Sequence, residues 1–470
     1  MMSTYEAYRS PYSWRYGTPE MRAIWSEVKK RKVWRRIWVA LAEVQSTFGL
    51  VTEAQVNDLR DHMAEVDVQR SLEVESQIHH DLMAELKVYA DQCSLAGGIL
   101  HLGATSMDIK DNAVVLLTRE GLDLIRQRLG EVLIPLLDLT ERHASTPTLG
   151  FTHLQPAEPT TLGYRFAGYA QDLWRDRCKV SRLRKELQGK GFTGAVGTSA
   201  SYLTLLGPDP LQVFQKRLSE KLDLPFHPVV TQTYPRRQDY QVVTALAGLA
   251  ATIHKFAFDL RFLQSPPLGE WSEPFGEDQI GSSAMPFKRN PIQAEKLDSI
   301  ARLLAQFPRV AWDNAALSLL ERTLDDSANR RTILPEAFLI ADELLVVSRK
   351  VISGLEIYPQ GISRNLSDYG PFAAMEPLLM ELSKRGADRQ KMHARLREHA
   401  LAAWSAVQKG KPNPLRELIL EDEELLTYLP KGDMQEIMEV EGYTGDAPQR
   451  ALGVVDKIRE AMKEGGDSID

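Results

Sequence analysis

Four segments of this chain combine small, hydroxyl-bearing and charged residues in a way that suits proton transfer and anion binding. One of them, GEDQIGSSAMPFKRNPIQAE at 276–295, places Ser282 and Ser283 shortly before Lys288 and Arg289. It lies directly before a stretch with helical periodicity. Hydroxyls and cations on an irregular loop are typical of a segment that closes over an anionic substrate. A plain surface connection is the simpler alternative.

Two segments supply histidine, whose side chain can exchange protons near neutral pH. His153 lies in GFTHLQPAEPTT, a proline-rich loop that leads into a predicted long helix, and residues 79–81 read His-His-Asp. Neighbouring residues on a helix point in different directions, so His80 and Asp81 need not bond to each other. A loop histidine bonded to the backbone is the better explanation of either segment taken alone.

The remaining two segments suit anion binding. HLGATSMD places Thr105 and Ser106 just before a predicted helix, as N-caps or as part of an anion site at the helix N-terminus. ERTLDDSANRR carries Arg322, Arg330 and Arg331, which can hold carboxylate or phosphate through paired hydrogen bonds. In isolation, capping residues and a solvated helix start are the simpler interpretations.

Long amphipathic helices must position these segments. Apolar residues recur at helical spacing in 112–143, 160–187, 239–263, about 292–318 and 330–356. These helices, at roughly 25 residues each, exceed the globular average of about 11–12. Their wide, partly aromatic apolar faces favour a bundle buried on several sides over a coiled coil.

We therefore predict an all-α fold of three helical domains with a central long-helix bundle. The boundaries are placed near 111 and near 360, where a turn-rich break follows Tyr358. The domains are an N-terminal helical domain at 1–111, the bundle at 112–360 and a C-terminal helical domain at 361–470.

Composition argues against several classes of protein. Of the 470 residues, 43% are hydrophobic and 26% charged, an ordinary globular mixture, and a net charge of −7 argues against nucleic-acid binding. Cys93 and Cys178 cannot form a disulfide framework and suit the reducing cytoplasm. The sequence shows no signal peptide, and we find no apolar run near the roughly 18 residues that span a membrane.

Two further patterns are rejected. Residues 189–194 match G-x-G-x-x-G, but they follow a charged helical stretch rather than a buried strand, which argues against a dinucleotide site. The histidines and cysteines show no zinc-ligand spacing, so no metal is predicted.

Taken together, the segments resemble the fumarase/aspartase superfamily and, within it, the adenylosuccinate lyase family. GSSAMPFKRNP at 281–291 is similar to the signature loop of the superfamily, and the DDSANRR stretch favours this family within it. The resemblance covers essentially the whole chain, since the matches run in order and the C-terminal segment suits the small third domain of the family. The other matching segments are SWRYGTPEM (13–21), HHDLMAEL (79–86), HLGATS (101–106), GFTHLQPAEPTTLG (150–163), TQTYPRRQD (231–239) and ERTLDDSANRR (321–331).

The resemblance implies an all-helical subunit of a homotetramer. The long helices of four subunits would form a common bundle, and each active site would draw on three chains. The implied reaction is elimination of fumarate from adenylosuccinate to give AMP, and the same cleavage of SAICAR. No redox step occurs, so no cofactor is implied. Nucleic acid and membrane are not implied as partners, and a cytoplasmic location is expected from the cysteine content and the lack of a visible targeting segment.

The resemblance also implies roles for single residues. Ser282 would be the base and His153 the acid, while Lys288 and Asn290 grip the succinyl carboxylate with help from Thr105 and Ser106. Two positions depart from the family pattern: His79 stands where animal relatives carry arginine, and Lys296 where arginine can stand, so their substrate contacts are doubtful. Further implied contacts are Arg15, Tyr16, His80, Asp81, Gln232, Arg322, Ser327 and Arg331, with Glu295 supporting His80.

Two alternatives stay open. A sister lyase acting on a substrate such as argininosuccinate differs, in this sequence, only through the 321–331 stretch. A non-catalytic helical scaffold is also compatible with the fold, because fold does not dictate function. A non-catalytic scaffold would not require Ser282, Lys288 and His153, yet the sequence contains all three.

Overall fold

The computed structural model describes residues 6–466, and helices dominate that part of the chain. The all-α fold class is confirmed. Four short strands form two antiparallel pairs: β1 (Pro147–Thr152) with β2 (Gln155–Thr161), and β3 (Trp271–Ser272) with β4 (Glu356–Ile357). The helices are α1 (Pro19–Ile24), α2 (Glu27–Ser46), α3 (Glu53–His62), α4 (Val68–Ile78), α5 (Asp81–Gln92), α6 (Ser106–Arg142), α7 (Leu162–Glu186), α8 (Ala200–Leu206), α9 (Leu211–Leu222), α10 (Arg237–Gln264), α11 (Ile292–Leu304), α12 (Phe307–Ala316), α13 (Asp325–Ser353), α14 (Pro359–Ala373), α15 (Met375–Lys384), α16 (Arg389–Gln408), α17 (Leu415–Leu420), α18 (Glu423–Leu426), α19 (Lys431–Met438) and α20 (Ala447–Lys463).

Four of the five predicted long helices are confirmed as α6, α7, α10 and α13. Pro135 and Pro335 lie inside α6 and α13, as the sequence predicts. The stretch 292–318 was wrong as one helix, because it forms α11 and α12. The break falls just before Pro308, which lies in the first turn of α12, where the missing N–H of proline costs no hydrogen bond.

Helix α10 requires a correction to the membrane analysis. It contains an 18-residue stretch with mean hydropathy 1.3, which by length and composition alone is apolar enough to cross a membrane. Half of this stretch is buried inside the protein, and the core helix of a soluble protein has the same properties. One such helix is weak evidence for a membrane span.

The chain divides into two compact units, each assembled from three stretches. The first unit comprises the described residues up to 129, with 176–251 and 299–346. The second unit comprises 130–175, 252–298 and the described residues from 347 onward. The three-domain division at 111 and 360 stays a prediction.

Buried ion pairs connect helices of the first unit. The Glu85 carboxylate is fully buried and lies 2.7 Å from Nε of Arg35 and 3.2 Å from Nε of Arg31. Both arginines belong to α2, whereas Glu85 belongs to α5. This contact therefore fixes α5, whose first turn carries predicted site residues, against α2.

Candidate functional site

The N-terminal ends of α5 and α6 lie side by side in the first unit. His80 caps α5, since its Nδ1 accepts the N–H of Met83 at 3.2 Å. The other ring nitrogen, Nε2, lies 3.2 Å from Oγ of Ser106, the first residue of α6. Because Nδ1 accepts, we assign the ring proton to Nε2, which donates to Ser106. The structure thus brings two predicted substrate contacts together.

Asp81 joins this corner to α13. Its carboxylate lies 2.8 and 2.9 Å from Nζ of Lys110 and 3.0 Å from Nη2 of Arg331. Burial alone would raise the pKa of Asp81, but these two cations outweigh burial and lower the pKa below its usual value. Arg331 is therefore placed beside Asp81. Lys110 was missed, because a lysine within a helix normally indicates a solvated face.

A buried ion pair holds the segment before α6. Asp108 is fully buried, bonds to the Lys190 ammonium, and accepts the N–H groups of Thr105 at 2.9 Å and Gly194 at 3.2 Å. Burial raises the pKa of Asp108, although Lys190 and these amides oppose that shift. Residues 189–194 follow α7, not a strand, and they enclose Lys190. The backbone of predicted Thr105 is thus fixed by a charge pair that the sequence did not reveal.

A second buried network positions Arg322. Nη1 of Arg322 lies 2.7 Å from one oxygen of Asp326, and the other oxygen lies 2.6 Å from Nε of Arg236. Burial would raise the pKa of Asp326, but Arg236 and the neighbouring arginines lower it. Arg236 and Asp326 were missed, because their pairing depends on tertiary contact. The network continues through Asp111, Tyr234, Asp239 and Arg330.

Gln232 and Ser327 lie around the start of α13. The backbone N–H of Gln232 donates to the Glu321 carbonyl at 3.1 Å, and its side-chain amide donates to the Ala195 carbonyl at 3.1 Å. Ser327 lies in the first turn of α13, and its N–H donates to the Leu324 carbonyl at 3.0 Å. The segment 231–233 is thereby linked to the segment that carries Arg322.

Exposed Arg15 and half-buried Tyr16 form a cationic and aromatic pair. The guanidinium carbon of Arg15 lies 5.8 Å from the Trp14 ring centroid and 5.9 Å from that of Tyr16, within cation–π range. The N–H of the next residue, Gly17, donates to Glu343 of α13 at 2.8 Å. That bond holds this N-terminal segment against the helix that begins with the 325–331 residues.

His79 has a backbone role. It ends α4 in the left-handed conformation, with φ 55°, and its N–H donates to the Glu75 carbonyl at 2.7 Å. Its doubtful contact with substrate stays a prediction.

His153 lies at the tip of a β-hairpin in the second unit, which corrects the predicted loop. Thr152 pairs with Gln155, so His153 and Leu154 form a two-residue turn with φ values of 54° and 60°. Such turns normally take Asn or Gly, and left-handed non-glycine residues cost about 1–2 kcal/mol each. Strain of this kind is concentrated at functional sites. The turn exposes His153.

The base of the hairpin is anchored to buried Glu270. Its carboxylate accepts hydrogen bonds from Thr148 Oγ1 at 3.1 Å, Arg165 Nη1 at 3.4 Å and Asn365 Nδ2 at 2.9 Å. One residue allows the close approach of the two strands: a Cβ on Gly150 would lie 2.6 Å from a carbonyl oxygen of β2. The His153 turn is therefore built on a rigid base.

The loop at 276–291 folds back on itself around Ser282. Oγ of Ser282 accepts the N–H groups of Ala284 at 3.3 Å and Met285 at 3.1 Å. The Asn290 amide donates to the Gly281 carbonyl at 2.9 Å. Hydrogen bonds donated to an oxygen favour its anionic form, so this turn suits a serine that must lose its proton.

Both ends of this loop are held by Gln264, the last residue of α10. Its Oε1 accepts the N–H of Glu273 at 3.0 Å, and its Nε2 donates to the Arg289 carbonyl at 3.2 Å. The Glu273 carboxylate in turn accepts the N–H groups of Gln293 at 3.0 Å and Ala294 at 2.9 Å, which caps α11. Burial raises the pKa of Glu273, against the effect of these amides.

Glu295 and Lys296 lie in the first turn of α11. Oε1 of Glu295 lies 3.9 Å from Nη2 of Arg261, and Nη1 of the same arginine lies 2.7 Å from Asp298. The support of His80 by Glu295 and the substrate contact of Lys296 stay predictions.

One group of possible metal ligands lies in the first unit. The ligand atoms of Asp58, His62 and Cys93 lie within 4.8 Å of one another. However, burial raises the pKa of the Cys93 thiol to about 12, and the Asp58 carboxylate already accepts the N–H groups of Leu95 at 2.8 Å and Ala96 at 2.9 Å. These contacts favour a structural cap.

His101 should make the fold acid-sensitive. Its Nδ1 accepts the Trp38 indole N–H at 3.1 Å, and burial, followed by the nearby His80, lowers its pKa from 6.5 to about 4. The folded state therefore favours neutral His101, and this stability is lost as pH falls from 6.5 towards 4. In the wild type, we expect this effect to lower the free energy of unfolding by up to about 3 kcal/mol as the pH falls from 6.5 to 4. The variant His101→Asn should not show this decrease, and its asparagine keeps an acceptor and tolerates the left-handed backbone. Urea unfolding at pH 7, 5.5 and 4 measures the free energy of unfolding of both proteins. The same pH dependence in the wild type and in the variant would contradict the prediction.

Known proteins similar in sequence identify the family of this chain. The profile of the family described as Lyase matches residues 15–304, and that described as Adenylosuccinate lyase C-terminus matches 371–451. The adenylosuccinate lyase of Schistosoma mansoni is 38% identical over 428 residues, covering 90% of this chain and 89% of that protein. The chain belongs to the adenylosuccinate lyase family. Family members from Saccharomyces cerevisiae and Pyrococcus abyssi are 37% and 36% identical, covering 97% of this chain and 95% and 99% of those proteins.

Solved structures share the fold. The 3-carboxy-cis,cis-muconate lactonizing enzyme of Pseudomonas putida superposes with a TM-score of 0.85 at 25% identity, covering 95% of this chain and 98% of that one. A fumarate lyase from Mesorhizobium gives a TM-score of 0.83 at 24% identity, covering 96% and 99%. Because enzymes of different names share this architecture, the fold alone does not decide the reaction.

Proposed function

We propose that this chain eliminates fumarate from adenylosuccinate, giving AMP, and from SAICAR, giving AICAR. The observation that carries the proposal is its identity of 36–38% to adenylosuccinate lyases over nine-tenths or more of the chain. The protein is a carbon–nitrogen lyase. The elimination changes no oxidation state overall, so the proposed mechanism includes no cofactor.

Ser282 is the proposed base. The proton that it removes lies on the carbon next to a substrate carboxylate and is weakly acidic, so the base must be strong and the resulting charge must be stabilised. A serine hydroxyl is ordinarily too weak an acid to form such a base. The two N–H groups donated by Ala284 and Met285 support the alkoxide, and Lys288 on the same loop adds positive charge.

His153 is the proposed acid. When Ser282 takes the proton, the electron pair moves into the neighbouring carboxylate and then forms the new C=C bond. The C–N bond breaks, and the departing nitrogen takes a proton from the His153 imidazolium, which is left as neutral imidazole. Fumarate and AMP account for all atoms of adenylosuccinate. The exposed hairpin tip supports this role, since the imidazole can be presented to a ligand from outside.

The remaining predicted residues bind the substrate. Lys288 and Asn290 hold the succinyl carboxylate, together with Thr105 and Ser106. An asparagine amide has two N–H donors, so the bond from Asn290 to Gly281 leaves one for a ligand. The proposed nucleotide and additional succinyl contacts are Arg15, Tyr16, His80, Asp81, Gln232, Arg322, Ser327 and Arg331.

We further propose a cytoplasmic homotetramer in which three chains contribute to each active site. Four exposed leucines that lie close together in the sequence support an assembled state, because large exposed apolar patches are typical of protein interfaces. They are Leu317, Leu319, Leu320 and Leu324, all on the segment between α12 and α13.

Product analysis tests the activity. The purified protein is mixed with adenylosuccinate while fumarate and AMP are quantified, with argininosuccinate as a comparator. We expect equimolar fumarate and AMP from the first and no product from the second. Product from argininosuccinate instead would assign the chain to the sister reaction, and no product from either would favour the scaffold.

A further inference from the structure

Lys110 is a cation for which the proposed mechanism has no role. It lies one turn after Ser106 on α6, so both side chains share one face of that helix. Ser106 contacts His80, and Lys110 contacts both oxygens of Asp81, at 2.9 and 2.8 Å. The Lys110 side chain is largely covered, with 22% exposed. It therefore contacts one proposed substrate contact, Asp81, and shares a helix face with another, Ser106.

The Asp81 carboxylate is shared between two cations. Lys110 binds both oxygens, and Arg331 binds one at 3.0 Å. A third cation in the neighbourhood, Lys30, contacts Glu27 at 2.6 Å instead. One carboxylate neutralises one cation, so the group formed by Asp81, Lys110 and Arg331 keeps a net charge of plus one.

The two cations differ in access. The Arg331 side chain is 57% exposed, whereas Lys110 is mostly covered. An incoming ligand therefore meets the guanidinium of Arg331, which can bind a planar or tetrahedral oxyanion through paired hydrogen bonds. Without Lys110, the Asp81 charge would cancel that of Arg331.

We propose that Lys110 is a positioning residue for oxyanion recognition: by neutralising Asp81, it leaves the charge of Arg331 available to a phosphate or carboxylate of the substrate. The substrate's identity rests on the proposed function, but the oxyanion chemistry does not. The alternative is a purely structural ion pair that joins α5 to α6.

Direct binding tests this role without turnover. Inorganic phosphate and succinate are titrated calorimetrically into the full-length protein and its Lys110→Met variant. We expect Lys110→Met to weaken one of the two roughly 10-fold. Weaker phosphate binding indicates that Arg331 recognises the phosphate of the substrate. Weaker succinate binding indicates that it recognises a carboxylate instead. Unchanged binding of both overturns the proposal.

Two further variants separate charge from structure. Lys110→Arg should restore binding, since it keeps the cation. In the double variant Asp81→Asn/Lys110→Met, Arg331 alone again gives a net charge of plus one, so oxyanion binding is expected to recover. Failure to recover while the fold is retained overturns the charge argument. Lys216→Met is the matched control, since it removes an exposed cation of the same unit.

Turnover adds an independent readout. With adenylosuccinate, Lys110→Met should raise KM roughly 10-fold and leave kcat within about two-fold, because binding of the ground state and of the transition state weaken together. A fall in kcat with unchanged KM contradicts the proposal. If wild-type protein binds phosphate through this corner yet does not cleave adenylosuccinate, the proposed function fails and this inference stands.

Discussion

Replacing Ser282 by alanine is expected to lower kcat for adenylosuccinate roughly 10²- to 10⁴-fold, the range that a positioned base contributes. The variant should fold normally. Ser282 lies on a surface loop where water can replace Oγ as the acceptor for the N–H groups of Ala284 and Met285. Ser283→Ala is the matched control, because it removes the adjacent, exposed hydroxyl and should keep kcat within about two-fold. The measurement is single-turnover release of fumarate.

The acid offers a second test of the same assignment. His153→Asn keeps the hairpin, since asparagine tolerates the left-handed backbone that this position requires. We expect a comparable loss of kcat. The double variant with Ser282→Ala should be scarcely worse than either single variant, because the two residues act on one reaction. Loss of activity in Ser283→Ala, or retention in Ser282→Ala, would contradict the assignment of the base.

Replacing Lys190 by methionine is expected to lower the free energy of unfolding by about 3–5 kcal/mol, because it leaves the fully buried Asp108 carboxylate without its cation. The measurement is urea unfolding at pH 7. Lys391→Met is the matched control. Its contact with Glu424 is exposed at the surface, so its removal should leave the free energy of unfolding almost unchanged.

The double variant Lys190→Met/Asp108→Asn separates charge from packing. It removes both buried charges of this pair, and the asparagine still offers an acceptor to the Thr105 N–H. We expect it to recover part of the stability lost in Lys190→Met. If it is as unstable as the single variant, lost packing around Lys190 is the cause.

Much of the fold could be predicted because long helices carry a repeating apolar pattern. The pattern predicted α6, α7, α10 and α13 over nearly their full lengths. It joined α11 to α12, since the residues on either side of Pro308 keep the same spacing. Periodicity reports which face is buried, and it is insensitive to a short break.

The hairpin that carries His153 could not be predicted in this way. Its strands contain Pro147, Pro156 and Pro159, and proline is disfavoured within sheets. Its turn also lacks the glycine or asparagine that normally indicates a two-residue connection. The strands form because their pairing and the buried Glu270 outweigh these local preferences.

The candidate site divides into motif residues and their supports. Ser282 and His153 were found because whole segments resemble a family. The supports depend on pairs far apart in the chain, such as Asp108 with Lys190 and Asp326 with Arg236. Single positions in one sequence carry no signal for such pairs. A buried charge is recognisable only when its partner is known.

The two ends of the Ser282 loop meet at one side chain, Gln264. The loop is therefore closed into a ring in the folded chain, and closing a ring costs conformational entropy. Doubling the length of the loop would raise this cost by only about 0.6 kcal/mol. A change of length outside the proposed site residues would therefore leave α10 and α11 in place, whereas Ser282, Lys288 and Asn290 must be kept for the proposed chemistry. For the engineer, the length of the loop before Ser282 is thus a quantity that can be altered at little cost in stability, independently of the reactive residues.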